Sequence, residues 1–429
     1  MQGKHETNEP AGSGAGHGNH AISLADIRAA ARVIADHVIE SPMLHSPRLS
    51  DLTGARLHLK LENMQATGAF KERGAVNRLA ALGETERAGG VVAMSAGNHA
   101  QAVAYHARRF AIPATIVMPE ATPLVKVENT RAHGARVVLH GESLTEAEEY
   151  ARALVTQEGA TLIHPFDDPL VMAGQGTIGL EMLAAVPDLD TLVVPIGGGG
   201  LISGIAVAAK ALAPQIRIIG VEAALYPSFH NQLTGENRPI GGATLAEGIA
   251  VKHPGTLTLP IVRDLVSEIV VVEEDLIESA VNACATLQRT MAEGAGAAGL
   301  AAMLGRPDLF AGCKVGLVLC GGNIDARILA SVMVRELERD ERIVAFRIYS
   351  HDRPGLLGRV STRLGELGAN ILEVSHGRLY LDVPAKGVTV DLTIETRDAD
   401  HTARVFAALR DDGYEPRRID PRGLMQAGP

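Results

Sequence analysis

Cysteine and clustered positive charge are both scarce in this sequence. Its three cysteines, Cys284, Cys313 and Cys320, are scattered through 429 residues, with no Cys-x-x-Cys spacing and no apolar signal peptide ahead of them. This pattern argues against a disulfide scaffold and favours a reducing compartment, so we expect a cytoplasmic protein. The formal net charge is -10 and no basic run occurs. Nucleic acid and an anionic membrane surface are therefore not expected as partners.

The chain also lacks an uninterrupted apolar run that could cross a membrane. Residues 191–209 carry no charge, but Pro195 and four consecutive glycines interrupt them, which favours a strand, a loop and a helix. The first 20 residues contain almost no large apolar side chain to offset the entropy of ordering them, so we expect a disordered tail. Its histidines, His5, His17 and His20, could chelate a metal, but a solvated tail is favoured and no metal site is predicted.

Between residues 22 and 335, β-branched runs alternate regularly with alanine-rich helical stretches. This alternation predicts an α/β domain of βαβ units with a mostly parallel sheet, which binds ligands at the carboxyl ends of its strands. The predicted strands are residues 90–94, 114–118, 136–139, 191–195, 217–221 and 314–319.

Beyond a charged stretch at residues 335–342, the order of the elements changes. Patterns of strand, helix, strand, strand, helix and strand predict a ferredoxin-like βαββαβ module. We therefore predict three regions: the tail 1–20, a catalytic domain 21–338 and a second domain 342–425. The elements of the second domain are predicted at residues 343–349, 358–367, 371–375, 387–396, 399–410 and 415–419.

Two motifs of the catalytic domain point to chemistry. Lys71 follows Thr-Gly-Ala-Phe and opens a helical run. A lone lysine is usually a solvated charge, but a buried one with a lowered pKa can condense with an aldehyde and later act as a base. Gly197, Gly198, Gly199 and Gly200 lie between a predicted strand and a predicted helix. Such a loop can bring N–H groups close to a phosphate at a helix N-terminus, although a flexible link would have the same composition.

Neither motif fits a nucleotide site. The glycine run lacks the Gly-Lys-Ser/Thr of a P-loop and the spacing of a dinucleotide fingerprint. Gly174, Gly176 and Gly179 do have that spacing, but the residues before them form a turn rather than a strand. The sequence therefore predicts a different phosphate-bearing cofactor.

Together these motifs resemble the threonine and serine dehydratase family of pyridoxal-phosphate enzymes, in the tryptophan-synthase-β-like group. No single motif is decisive, but six occur in the order that the family has. The resemblance implies a two-lobed catalytic domain of fold type II that binds pyridoxal 5'-phosphate. The six motifs are residues 60–75, 95–101, 197–200, 245–252, 293–296 and 320–323.

The resemblance also implies roles for individual residues. Lys71 would bind the cofactor aldehyde covalently and act as the catalytic base, with Phe70 packed near the cofactor ring. Asn98 would form a hydrogen bond with the ring hydroxyl, and the four glycines would hold the phosphate. Cys320 would lie beside the pyridine nitrogen, unless it is only a buried structural thiol. The loop expected to bind the substrate carboxylate comprises Ser95, Ala96, Gly97, Asn98 and His99.

Three positions depart from the family pattern or stay open. Ala96 stands where related serine racemases carry a serine that serves as a second base, so racemisation lacks that base. Ser228 stands six residues after Glu222, where the racemase-type divalent-metal site expects a ligand, and we predict no metal there. Glu247 could approach the substrate hydroxyl or form a structural salt bridge.

The second domain resembles the ACT family of regulatory domains through residues 351–357 and 368–371. The resemblance implies that an amino-acid effector binds near these loops and that the domains pair, giving a homodimer or homotetramer. A role in oligomerisation alone is the alternative. The expected effector-binding residues are Pro354, Gly355, Leu356, Asn370 and Ile371.

These implications predict an ammonia-lyase that converts L-threonine to 2-oxobutanoate and ammonia, and also L-serine to pyruvate. An ammonia-lyase for 3-hydroxyaspartate or phenylserine remains an alternative. A catalytically silent amino-acid sensor is another, although an intact Lys71, Asn98 and glycine loop argue against it. The motifs leave open whether the role is in isoleucine biosynthesis or in threonine catabolism.

Overall fold

The computed structural model of the protein describes residues 20–377 and 387–419. The predicted tail therefore lies outside the described residues except for His20. Contacts divide the chain into two compact units, Met1–Ile324 and Asp325–Pro429. The helix Ala326–Arg339 begins before the predicted boundary at residue 338 and belongs to the second unit. The domain limits 21–338 and 342–425 stay a prediction.

The first unit is built on two separate sheets. Its strands are β1 (Met43–His45), β2 (Arg56–Leu61), β3 (Val91–Met94), β4 (Ala114–Met118), β5 (Arg136–Leu139), β6 (Thr161–Leu162), β7 (Thr191–Pro195), β8 (Arg217–Ala223), β9 (Glu268–Val272) and β10 (Lys314–Leu319). One sheet has the order β1-β2-β10-β7-β8-β9, in which only the β1–β2 pair is antiparallel. The other has the order β5-β4-β3-β6 and is parallel throughout. This confirms the predicted α/β class and defines a six-stranded lobe and a four-stranded lobe.

Helices join the strands and cover both sheets. They are α1 (Leu24–Ile34), α2 (Pro47–Thr53), α3 (Lys71–Ala80), α4 (Glu84–Gly89), α5 (Asn98–Arg109), α6 (Leu124–Ala132), α7 (Leu144–Glu158), α8 (Pro169–Ala185), α9 (Gly200–Leu212), α10 (Ser228–Thr234), α11 (Thr258–Leu265), α12 (Glu274–Ala283), α13 (Gly294–Gly305) and α14 (Pro307–Phe310). The start of α8 shows how local chemistry sets the ends: the Asp168 side chain accepts from the N–H groups of Leu170 and Val171, and Pro169 opens the helix.

Three of the predicted functional segments lie directly after strands. Ser95 follows β3, the four glycines follow β7 and Ile196, and Cys320 follows β10. These are carboxyl ends of parallel strands, the edge of an α/β sheet where ligands bind.

The glycines at residues 174, 176 and 179 lie inside α8 and serve helix packing. A Cβ on Gly174 would approach the Arg73 carbonyl oxygen to 2.6 Å, and one on Gly176 would approach the Gly204 carbonyl oxygen of α9 to 2.9 Å. Only glycine allows the α3, α8 and α9 backbones to approach this closely. The dinucleotide spacing therefore arises from helix contacts and not from a strand-to-helix loop.

A buried ion network lies beneath the junction of α3 and α8. Arg73 donates to both carboxylate oxygens of Glu62 at 2.8 Å and also to Glu181, whose carboxylate accepts from Lys60 as well. Arg73 and Glu62 have no exposed surface. Because each buried charge has a partner of opposite sign, the network fixes the start of α3, where Lys71 lies.

The second unit has the predicted βαββαβ order, preceded by α15 (Ala326–Arg339). Its further elements are β11 (Ile343–His351), α16 (Leu356–Glu366), β12 (Asn370–Gly377), β13 (Gly387–Glu395), α17 (Ala399–Asp411) and β14 (Pro416–Arg418). The strands form an antiparallel sheet in the order β12-β13-β11-β14. Its core is apolar and includes Phe346, Leu364 and Phe406.

A helix that crosses a bilayer needs about 20 consecutive, mostly apolar residues. Within residues 20–377 and 387–419, no helix is both long enough and apolar enough to span a membrane.

Candidate active site

Lys71 is the first residue of α3 and lies at the boundary between the two lobes. Its Nζ donates to the carbonyl oxygen of Pro165 at 2.8 Å and lies 5.1 Å from the centre of the Phe70 ring. Burial lowers the pKa of Lys71 to about 8, against the opposing influence of Cys320 and Glu293. About a tenth of the amine is therefore uncharged at pH 7, and this fraction can act as a nucleophile or a base.

The Pro165 segment also connects Lys71 to the glycine loop. The next residue, Phe166, packs so closely on the loop that a Cβ on Gly198 would overlap its ring. Gly199 has a φ of 91°, in the left-handed region, and caps the 13-residue helix α9. The first turn of such a helix presents N–H groups without intrahelical acceptors, together with the positive end of the helix dipole. The loop therefore has the features of an anion site.

Asn98, the first residue of α5, takes part in a chain of side-chain hydrogen bonds. Its Oδ1 accepts from Asn323 Nδ2 at 2.8 Å, and its own Nδ2 donates to Glu293 Oε1 at 2.6 Å. The same Asn323 amide donates to the Thr67 carbonyl oxygen at 2.7 Å. Because the amide of Asn98 has an acceptor on one side and a donor on the other, its orientation is fixed.

Glu293 is the residue that sequence reasoning missed. It precedes the glycine-rich start of α13, and burial raises the pKa of its carboxyl to about 7 despite the hydrogen bond from Asn98, while Glu247 adds to the rise. In the sequence, the motif at residues 293–296 stands out by its glycines, and the acidic residue directly before them is the available signal. Asn323 likewise stands out only as part of a motif.

Cys320 lies behind this group, directly after β10. Only 3% of it is exposed, and its carbonyl oxygen accepts from the N–H of Phe70 at 3.0 Å. Burial raises the pKa of the Cys320 thiol, and the neighbouring Glu293 raises it further, so the thiol is neutral.

The five residues predicted to bind the substrate carboxylate are the loop after β3 and the first two residues of α5. The Ser95 hydroxyl accepts from the N–H of Gly97 at 3.1 Å, and Ala96 offers no side-chain donor. His99 turns inward: its Nε2 donates to the Ile163 carbonyl oxygen at 2.9 Å, and burial, with a smaller effect of Lys71, lowers its pKa to about 3. His99 is therefore uncharged. Carboxylate binding by this loop stays a prediction.

The Glu222 carboxylate lies beside Ser228 and is surrounded by hydrogen-bond donors. It accepts from the backbone N–H groups of Phe229 and His230 at 2.8 and 2.9 Å, and from the Ser228 hydroxyl at 3.3 Å. These donors occupy the oxygens that a cation would need. In the part of the chain that the structure describes, no group of three or more His, Cys, Asp or Glu side chains could hold a metal ion.

The predicted effector residues lie in the second unit. Pro354, Gly355 and Leu356 form the start of α16, where Gly355 has a φ of 81°, and Asn370 and Ile371 open β12. They are thus in a different unit from Lys71. Effector binding at these positions stays a prediction.

The residues of the first unit fit pyridoxal 5'-phosphate. A lysine amine with a lowered pKa can bind the aldehyde, the amides of the glycine loop can bind the phosphate, and the oriented Asn98 amide can donate to the ring oxygen. The neutral Cys320 thiol can lie beside the pyridine nitrogen.

Both the catalytic region and the C-terminal region of the chain match families of known proteins. Residues 34–321 match the family described as pyridoxal-phosphate dependent enzyme, and residues 344–411 match the ACT domain. An L-threonine ammonia-lyase of Thermotoga maritima is 45% identical over 400 residues, covering 93% of this chain and 100% of the relative.

Solved structures agree with this assignment. The processed form of threonine deaminase isoform 2 from Solanum lycopersicum is 36% identical with a TM-score of 0.69, covering 72% of this chain and 86% of that one. A maize serine racemase is 38% identical with a TM-score of 0.69, covering 74% and 100%. The chain therefore belongs to the pyridoxal-phosphate dependent enzymes of fold type II, and an ACT domain follows its catalytic region.

Proposed function

We propose that the chain converts L-threonine to 2-oxobutanoate and ammonia, and L-serine to pyruvate and ammonia. The observation that carries this proposal is the Lys71 amine at the start of α3, which donates to the Pro165 carbonyl oxygen at 2.8 Å and has a lowered pKa. The name of the Thermotoga maritima relative gives independent support. When bound, pyridoxal phosphate supplies an electron-withdrawing ring that stabilises negative charge at the substrate Cα.

In this proposal Lys71 is both the covalent anchor and the base. The hydrogen bond to Pro165 holds its Nζ at the boundary of the lobes, and its pKa of about 8 allows it to take the Cα proton near neutral pH. The glycine loop holds the phosphate, while Phe70 and Asn98 position the ring. The loop from Ser95 to His99 receives the substrate carboxylate.

Two further residues favour elimination over racemisation. The Cys320 thiol is neutral and would be a weak partner for a positively charged nitrogen of the bound ring, which would then supply a weaker electron sink than a ring paired with a carboxylate. The β-hydroxyl then leaves as water, with the proton that Lys71 has taken from Cα, and its departure limits the lifetime of negative charge at Cα. Ala96 stands where related serine racemases carry the second base, and its methyl side chain can neither donate nor accept a proton.

The test is a panel of β-hydroxy amino acids with 2-oxo acid and ammonia both quantified. We expect equal amounts of the two products and the highest kcat/KM for L-threonine, with L-serine second and 3-hydroxyaspartate and phenylserine lower. D-serine should form far more slowly than pyruvate, and Ala96→Ser should increase it. Failure to release ammonia from any member of the panel would support the silent-sensor alternative, and comparable D-serine and pyruvate rates would refute the argument from Ala96.

We also propose amino-acid control through the ACT domain, with isoleucine or valine as effector at residues 354–356 and 370–371. Pairing of ACT domains into a homodimer or homotetramer belongs to the same proposal. A cytoplasmic location is proposed as well, supported by three cysteines that are all free.

A further inference from the structure

An ion pair joins the two lobes of the first unit. Lys126 on α6, which connects two strands of the four-stranded lobe, donates to Glu247 Oε2. Glu247 opens the short 3-10 turn Glu247–Ile249, which lies between β8 and β9 of the six-stranded lobe. The Glu247 side chain is 71% exposed and that of Lys126 is 29% exposed. The pair is therefore accessible to a molecule that enters between the lobes.

The turn that carries Glu247 lies against the proposed cofactor and substrate groups. A Cβ on Gly197 would be 3.3 Å from the Gly248 carbonyl oxygen, and a Cβ on Gly248 would be 3.6 Å from Glu293 Oε1. Glu293 is in turn bonded to Asn98 at 2.6 Å. The turn thus touches both the glycine loop and the group that orients Asn98.

Both members of the Lys126–Glu247 pair act electrostatically on Glu293. Glu247 raises the pKa of Glu293 and Lys126 lowers it, which places a cation and an anion within electrostatic range of the Asn98 group. A substrate with a second carboxylate needs a cation without a competing anion. Lys126 could serve as that cation, but its ion pair with Glu247 makes it unavailable to a substrate carboxylate.

We propose that the Lys126–Glu247 pair determines the charge selectivity of the site. Glu247 neutralises the charge of Lys126. The site between the lobes therefore accepts the uncharged side chains of threonine and serine and disfavours a β-carboxylate such as that of 3-hydroxyaspartate. Removal of the Glu247 charge exposes Lys126 to the substrate and shifts the preference toward the diacid. This inference rests on the proposed function, because it concerns the substrates of the same site.

The experiment compares the holoenzyme with Glu247→Gln, with the double variant Lys126→Met/Glu247→Gln, and with Glu128→Gln. The last is a matched control, since Glu128 lies on the same helix and pairs with Arg131 at an exposed position. We expect the ratio of kcat/KM for 3-hydroxyaspartate to that for threonine to rise at least about tenfold in Glu247→Gln. The rise should vanish in the double variant and be absent in Glu128→Gln.

A binding measurement separates this inference from the proposed function. Calorimetric titration of the holoenzyme with malonate and with propionate should show that Glu247→Gln tightens malonate alone, and that Lys126→Met in the double variant removes the gain. If no β-hydroxy amino acid is turned over, the proposed function fails while the malonate result still tests the pair. An unchanged ratio, an equal rise in Glu128→Gln, or a gain that survives in the double variant would overturn the inference. So would a loss of threonine turnover in Glu247→Gln without any gain for dicarboxylates, which would place Glu247 at the substrate hydroxyl.

Discussion

The two units of the chain differ in whether they bury ionisable side chains. The first unit buries Lys60, Glu62, Glu72, Arg73 and Glu222, each with at most 1% exposed surface. In the described part of the second unit no lysine, arginine, aspartate or glutamate is buried, and its buried polar groups are the histidine and threonines at His401, Thr389, Thr396 and Thr402. Ion pairs such as Arg363–Asp412 lie at its surface.

This difference indicates whether a unit must hold polar groups in one fixed geometry. Burial of charge is costly unless each ion has partners, so it is tolerated where polar groups must be held in one geometry. In the first unit Arg73, the centre of the buried ion network, lies two residues after Lys71 in the same helix. An apolar core under a sheet is sufficient to hold the second unit together.

The largest expected effect is the loss of turnover on Lys71→Ala. If the chemistry resides wholly in the first unit, formation of 2-oxo acid should fall more than about 10³-fold, because one amine supplies both the covalent link and the base. Effector binding to the second unit should persist. Lys210→Ala, on α9, is the control and should retain turnover. Borohydride reduction followed by peptide mapping should label Lys71, and a label elsewhere would contradict the assignment.

The contrast in buried charge can be measured directly by removing one arginine from each unit. Arg73→Met leaves Glu62 buried and unpaired, and we expect it to lower the free energy of unfolding by about 3–5 kcal/mol. Arg363→Met removes a partly exposed partner of Asp412 and should cost at most about 1 kcal/mol.

Circular dichroism during urea unfolding is the suitable measurement for both variants, since the chain has no tryptophan. If Arg73→Met does not fold, Glu181→Gln, at a partner with a 20% exposed side chain, should show a smaller loss of the same kind. Similar losses in the free energy of unfolding for Arg73→Met and Arg363→Met would contradict the difference between the two units.

The pH dependence of stability should also differ between the units. Burial raises the pKa of Glu222 to about 7, although three N–H and O–H donors oppose the rise. The proton is thus bound more tightly in the folded state, so its stabilising contribution is complete below pH 4.5 and is lost as the pH rises through about 7.

The stability advantage of the wild type over Glu222→Gln should therefore fall by about 1–3 kcal/mol between pH 5 and pH 8.5. Glu341 in the second unit is the control: its hydrogen bond with Arg418 lowers its pKa, so its contribution is already present at pH 5. Glu341→Gln should show almost no change over this range. Equal slopes for the two variants, measured by urea unfolding at each pH, would contradict the difference.

The last expected effect concerns regulation and is similar in size to that of Glu222→Gln, about 1–3 kcal/mol. An effector should change the affinity for threonine by a factor of about 5–150 in the wild type. Gly355→Asp introduces a side chain at a φ of 81° and a charge at the start of α16, so it should reduce that factor toward one without loss of basal turnover. Gly365→Asp, later on the same helix and in open space, is the matched control. A full response in Gly355→Asp would place the effector elsewhere.

Local patterns predicted most of the fold. The strand predicted at residues 114–118 is β4 as observed, and the helix predicted at 358–367 is α16 shifted by one or two residues. β-branched runs and apolar periodicity are properties of neighbouring residues, so they can be read from the sequence. The local patterns do not indicate strands β1, β2, β6 and β9. They also predict a single sheet, and only the family resemblance implies two lobes, because sheet membership depends on pairing between distant segments.

The site shows the same limit. Lys71, Asn98 and Cys320 were found through motifs, but the contact of Asn98 with Glu293 joins residues 195 positions apart, and that with Asn323 spans 225 positions. Nothing local in either segment indicates these contacts. The orientation of the Asn98 amide follows from tertiary structure alone.

These long separations also have a consequence for how the protein matures. The hydrogen bond of Lys71 with Pro165 spans 94 positions and that of Asn98 with Asn323 spans 225, so the site is incomplete until residue 323 has been synthesised and both lobes have folded. Non-local contacts of this kind slow folding. Because the groups of the site come together only in the folded first unit, a cofactor bound there stabilises that unit by mass action. Retention of the cofactor therefore reports the fraction of molecules whose first unit has folded.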